Sequence, residues 1–211
     1  MAESPDDDFV RSASEPLPWP FRDQRGQMRA AVKRAFDFAG AAVGLLIASP
    51  LIFVLVIAIK WGSKGPGIFS QDRVGRDRRL FRCHKLRTMQ SGAPNVPTHQ
   101  SNADLITHIG RFLRDSKLDE LPQLWNVLRG EMSFVGPRPC LPSQLELIEE
   151  RNKRGVFTLR PGITGLAQVN GIDMSDWVRL AEKDADYLRE QSFGLDLRIL
   201  CRTLVRETGD E

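Results

Sequence analysis

Cysteine is scarce: the 211 residues hold three, Cys83, Cys140 and Cys201, odd in number and without a CxxC spacing. That argues against a disulfide framework and fits a reducing compartment. Histidine is equally scarce, and His84, His99 and His108 have no metal-ligand spacing, so a zinc site finds no support. The net charge is only +3, too small to point to nucleic acid. Residues 1–27 lack periodic apolar positions, and they lack the basic start and apolar run of a signal peptide. They carry Asp6-Asp7-Asp8 and four prolines, a composition that reads as a disordered tail.

Charge is missing altogether over residues 38–59, "FAGAAVGLLIASPLIFVLVIAI". One straight helix of that length rises about 33 Å, the thickness of a bilayer's hydrocarbon core. Two details complicate a simple span. Ser49-Pro50 lies near the middle, and proline removes a helix N–H and clashes with the preceding turn. The Ser49 hydroxyl can satisfy a backbone group freed there. Basic residues also flank both ends: Arg29, Lys33 and Arg34 before, Lys60 and Lys64 after. The preference of basic flanks for the cytoplasm then pulls both ends to one side. A re-entrant helix-break-helix satisfies both details; a kinked span and a buried core helix are the alternatives. Asp37, at the head of the segment, reads as interfacial.

The remainder mixes short strands with helices. Residues 62–67, "GSKGPG", form a turn cluster. "IFSQ" and "RLFRCHKLRT" read as two strands around the turn "RVGRDR". Residues 89–102 read as a loop, and Asn102 or Asp104 can cap a helix carrying Leu105, Ile106, Ile109, Phe112 and Leu113. Helices are expected over "ELPQLWNVLRG" and residues 143–153, 175–190 and 195–207. The last alternates apolar and basic faces, as a helix lying on a membrane surface does. Residues 73–87 hold seven basic side chains against Asp77 alone: a solvated face, or a surface for anionic lipid or nucleotide phosphate.

One stretch poses the chemical question. "SKLDELPQLWNVLRGEMSFVGPRP" puts two carboxylates, Asp119 and Glu120, side by side at an expected helix start. Helix capping alone explains such a pair. So does a site for phosphate and a divalent cation.

Four motifs decide between these. "SPLIF", "GIFSQDRVGRDRRLFRCHKLRTM", the stretch above and "LRPGITGLAQVNG" occur in that order. Together they closely resemble the bacterial sugar transferase family, the monotopic phosphoglycosyl transferases, over residues 33–206. The resemblance implies a mainly helical α+β chain: a tail over 1–27, a re-entrant membrane helix over 28–61 and a cytoplasmic catalytic domain over 62–207. That domain is expected to hold a small β-hairpin and amphipathic interfacial helices, as the family's minimal catalytic unit.

The resemblance also implies the reaction. A sugar 1-phosphate passes from a UDP-sugar to polyprenyl phosphate (undecaprenyl phosphate in bacteria), releasing UMP. This opens surface polysaccharide or glycoconjugate assembly at the cytoplasmic face of the inner membrane. By motif match Asp119 is the nucleophile, Glu120 its partner, and both hold Mg²⁺. The physics agrees: a hard cation bridging carboxylate and phosphate oxygens reduces their repulsion. An aspartyl intermediate lets two substrates use one site in turn.

Pro137 and Pro139 fix the backbone around Arg138, whose planar fork suits phosphate. Lys85 and Arg87 in "HKLRTM" match basic positions, although His84 and Leu86 replace an aromatic pair common in the family. Arg114 matches a basic position near the dyad. Arg160 and Gln168 are candidate nucleotide contacts and Asp184 a family acidic position; a structural role suits all three equally well. Glycines 162, 165 and 171 permit tight turns near a ligand. A homodimer is an admissible assembly. The rival readings are a catalytically idle membrane adaptor and a UDP-sugar phosphohydrolase.

Overall fold

The computed structural model describes residues 24–90, 92 and 105–207. The expectations for residues 1–23, for most of the 89–102 loop and for capping by Asn102 or Asp104 lie outside the described residues.

The apolar run forms helix α1, Gln24–Gly62, the one described helix long and apolar enough to cross a membrane. The sequence predicts a break at Ser49-Pro50; the helix instead continues through Pro50. The reason is local. Pro50 cannot donate to the carbonyl four residues back, Leu46, and the Ser49 hydroxyl donates to that same oxygen at 3.0 Å.

Both ends of the apolar run are fastened to the rest of the chain. At the first end, Asp37 is 2% exposed and accepts from the Phe134 amide at 3.1 Å. Arg34 donates to the Val127 and Leu128 carbonyls at 2.7 and 2.9 Å, and Lys33 pairs with Asp196 at 2.6 Å. At the second end, Leu55 and Ile59 pack with Leu86 and Leu113. Between them Leu46, Ile47, Phe53 and Val54 are exposed.

Strands β1, Ile68–Val74, and β2, Leu80–Leu86, pair antiparallel with Ile68 opposite Leu86 and Val74 opposite Leu80. The connecting turn holds Asp77 and Arg78 at positive φ. Along β2, Phe81 and Cys83 point inward, and the two-residue period places Lys85 on that same face. The basic run of residues 73–87 is thereby divided: Arg79 and Arg82 face solvent, while Arg87 is buried.

Helix α2, His108–Asp115, starts later than the apolar spacing suggests, because Ile106 bridges to Met89 and Thr107 caps the helix through Gly110 N. Helix α3, Gln123–Arg129, ends on Gly130 at φ 81°, the left-handed cap that glycine favours. The short parallel strands β3, Ser133–Val135, and β4, Gly162–Thr164, flank helix α4, Leu145–Lys153. Helices α5, Leu166–Val169, α6, Trp177–Glu190, and α7, Phe193–Glu207, complete the fold.

Apolar periodicity on α4 and α6 builds one core from Leu147, Ile148, Leu180 and Ala181 with Val74 and Phe157. Ile199 of α7 packs with Tyr187 and Val135 in another. Asp196 of α7 accepts from the Tyr187 hydroxyl at 2.6 Å and pairs with Lys33, joining α1, α6 and α7.

Candidate active site

Asp119 and Glu120 sit on a 3-10 turn, Leu118–Glu120, between α2 and α3. Their sequence position suggests the start of the helix expected over residues 120–130. Instead Pro122 caps the separate helix α3 and leaves the carboxylates on a turn of their own. Lys117 enters that turn at φ 55°, a left-handed conformation costly for a residue with a Cβ.

Helix α3 is stitched to β2 by a fully buried asparagine. Asn126 accepts from the His84 amide at 3.1 Å and donates to the Arg82 carbonyl at 2.7 Å. This fixes the distance between the dyad turn and Lys85. Sequence reading missed Asn126; a lone amide in a helix gives no signal until its two backbone partners are known.

Lys85 lies at the centre of the site. Its Nζ is 2.6 Å from Glu120 and 3.9 Å from Asp119. Arg138 Nη2 stands 3.6 Å from Glu120. Arg114, tied by its Nε to the Thr88 hydroxyl at 3.0 Å, adds positive charge near Asp119.

The two carboxyls respond in opposite directions. Burial pushes Asp119 above the usual carboxylate range, Glu120 reinforces this, and Lys85 opposes it. Burial would raise Glu120 as well, but Lys85 and Arg138 outweigh it and hold Glu120 at about 2. The result is a firmly ionised Glu120 beside an Asp119 whose charge is poorly solvated. A poorly solvated carboxylate inside a basic corner is suited to meeting a phosphorus centre.

Among the described residues no three His, Cys, Asp or Glu side chains gather as a metal cage. The pair still has the right chemistry for Mg²⁺, which is commonly bound through one or two carboxylates with substrate phosphate and water completing the shell.

The other sequence candidates lie elsewhere in the network. Arg87 is 6% exposed and donates to the carbonyls of Lys64, Ser63 and Ile59 at 2.7, 2.8 and 3.3 Å, clamping the end of α1. Arg160 donates from Nε to the Gly130 carbonyl at 2.9 Å and lines a cavity of about 280 Å³ with Arg34, Asp37 and Ser133. Gln168 donates to the Ile163 carbonyl at 3.0 Å. Asp184 is 2% exposed and pairs with Arg151 at 2.7 Å.

Gly162 explains part of its motif. A Cβ there would lie 2.1 Å from the Gly136 nitrogen, so the glycine serves contact between two backbones, β4 and the Gly-Pro-Arg-Pro loop. The three cysteines carry free thiols, Cys83 and Cys140 buried and Cys201 exposed.

Comparison with known proteins points the same way. The sequence profile of the bacterial sugar transferase family matches residues 28–208. An undecaprenyl-phosphate glucose phosphotransferase of Komagataeibacter xylinus is 39% identical over 188 residues, 83% of this chain and 35% of the relative. A UDP-glucose:undecaprenyl-phosphate glucose-1-phosphate transferase of Caulobacter vibrioides is 40% identical over 181 residues, covering 82% of this chain and 68% of its own length. The exopolysaccharide production protein ExoY of Rhizobium meliloti is 34% identical over 217 residues, 92% of this chain and 94% of the relative. The chain thus spans about a third of the Komagataeibacter protein and nearly all of the Rhizobium one. Since that family's profile matches residues 28–208, most of the chain, the chain belongs to the bacterial sugar transferase family.

Proposed function

We propose that this chain transfers a sugar 1-phosphate from a UDP-sugar to polyprenyl phosphate in two steps. In the first, an Asp119 carboxylate oxygen attacks the phosphorus that bears the sugar. The bond from that phosphorus to the bridging oxygen breaks, and UMP leaves with the electron pair. In the second, a phosphate oxygen of the lipid attacks the same phosphorus and Asp119 is released as carboxylate. The product is a polyprenyl diphosphate sugar, and the atoms balance without a further reactant.

The carrying observation is the basic corner: Lys85 and Arg138 converge on Glu120, with Asp119 buried beside it. Lys85 and Arg138 offer donors to the diphosphate oxygens and to the charge that grows on the leaving group. Glu120, kept ionised, holds Lys85 in place beside Asp119. Mg²⁺ held by Asp119 and Glu120 would supply further screening between carboxylate and diphosphate.

The acceptor is a lipid, and the chain is placed to meet it at a membrane. Phe112 on α2 and Trp125 on α3 are both exposed, and they flank the dyad turn in sequence. We infer that α1 is re-entrant, bent about Ser49-Pro50, with the catalytic domain on the cytoplasmic face. Support comes from its two ends, fastened to one folded unit at Asp37 and Ile59, and from the exposed apolar middle.

The test is UMP release from a panel that includes UDP-glucose and UDP-galactose, with polyprenyl phosphate present and absent. Transfer predicts sustained release only with the lipid. Sustained release of free sugar phosphate without it overturns the reading in favour of hydrolysis.

A further inference from the structure

Arg138 must be aimed, and two prolines alone do not aim it. Gly136 N donates to the Thr164 carbonyl and Gly162 N to the Pro137 carbonyl, each at 2.9 Å, anchoring one side of the loop. The other side rests on side chains from other elements. Arg151 of α4, 2% exposed, donates from Nη1 to the Arg138 carbonyl at 2.8 Å. Arg73 of β1 donates to the Pro139 carbonyl at 3.1 Å. Arg151 is itself oriented by Asp184 of α6, which accepts from its Nε at 2.9 Å and lies 2.7 Å from its Nη2.

A buried ion pair seldom adds net stability over apolar side chains of similar volume. What this pair adds is direction. Asp184 turns the guanidinium so that its remaining arm meets the backbone of Arg138, whose side chain stands with Lys85 at Glu120.

We propose that Asp184 and Arg151 are positioning residues that set the reach of Arg138 into the acidic corner. Asp184 thus acts two steps from the substrate, and its acidity does not touch phosphate. The proposal rests on the reading of Arg138 as a phosphate-binding residue.

The test is a double-mutant cycle on the full-length membrane protein, read as UMP release with whichever panel donor turns over. One variant replaces the pair by apolar side chains, Arg151→Met with Asp184→Leu. A second, Arg151→Lys, keeps the charge but has no second arm for the Arg138 carbonyl. Each is made in the native chain and in Arg138→Ala. The expected loss is about 100-fold in the native background, the scale for a misplaced reacting group. In Arg138→Ala the further loss is expected to stay under about twofold, because nothing is left to aim.

Equal losses in both backgrounds, or no loss in the native one, overturn the proposal. Arg138→Ala turning over at the native rate overturns both this proposal and the reading of Arg138. An impaired Arg138→Ala with an additive cycle overturns the proposal alone. Hydrogen exchange supplies a readout independent of turnover. The amides of Arg138, Cys140 and Leu141 are expected to exchange at least tenfold faster in Arg151→Lys, and unchanged exchange also overturns the proposal.

Discussion

Lys85→Met removes the charge around which the acidic pair is arranged. Burial raises Glu120, and Lys85, followed by Arg138, brings it from 4.5 down to about 2. At about 1.4 kcal/mol for each tenfold change in acidity, that displacement stabilises the charged form by roughly 3 kcal/mol. Without Lys85 the burial cost persists, opposed chiefly by Arg138 at 3.6 Å. The variant therefore loses on the order of 3 kcal/mol near neutrality, or roughly 6–12 °C of melting temperature for a chain of this size. Glu120 has a folded value below its unfolded one. Its contribution is complete above about pH 4.5 and is lost as the pH falls towards 2. The gap between native protein and variant is thus widest near neutrality and narrows below about pH 4.5. Melting curves of chelator-treated protein in detergent, from acid to neutral pH, read this directly. A gap under about 2 °C at neutrality, or one that widens on acidification, refutes the assignment of Lys85 as the holder of Glu120.

Arg87→Met removes a buried clamp on three carbonyls and is expected to cost about 2 kcal/mol, read as a lower melting temperature and faster proteolysis of residues 62–67. A change in donor KM with no change in stability would contradict that role. Ser49→Ala leaves the Leu46 carbonyl without its substitute donor, whereas Pro50→Leu restores a backbone N–H and favours a straight span. A cysteine placed after residue 59 is expected to resist an impermeant reagent in intact cells carrying the native helix and to react in Pro50→Leu; labelling in the native chain rules out re-entry. Arg138→Lys keeps the charge but loses the planar fork. Turnover within about threefold of native, an effect of only ~0.7 kcal/mol, would remove the bidentate phosphate role.

Much of the frame was legible because it rests on local rules. The apolar run, the hairpin and helices α4, α6 and α7 follow from periodicity and turn residues. Ser49 was legible too: a hydroxyl beside a helical proline can satisfy a freed backbone group, and here it serves the Leu46 carbonyl. The uninterrupted course of α1 was not, because proline's cost is averaged over any helix, while here its neighbour offsets it.

The site was legible in part. Asp119, Glu120, Lys85, Arg138 and Arg114 come together from three segments. Arg87, Arg160 and Gln168 share their motifs but bond to backbone carbonyls. A motif records that a residue type is needed without recording whether ligand or backbone needs it. Asn126 and Arg151 gave no signal, and Arg73 stood out only as one of a basic run, because their work is done on carbonyls distant in sequence.

The central claim is the covalent step at Asp119, and intact mass after mixing with donor alone tests it most directly. Protein supplied with UDP-sugar and no lipid acceptor is predicted to gain the mass of one sugar phosphate, mapped to the peptide containing Asp119. Adding polyprenyl phosphate is predicted to discharge it. Asp119→Asn keeps the side chain's size but offers a poor nucleophile, so it is predicted to fold, gain no mass and lose nearly all turnover. An adduct on another residue, or normal transfer by Asp119→Asn, contradicts the account and leaves direct attack by the lipid phosphate as the mechanism.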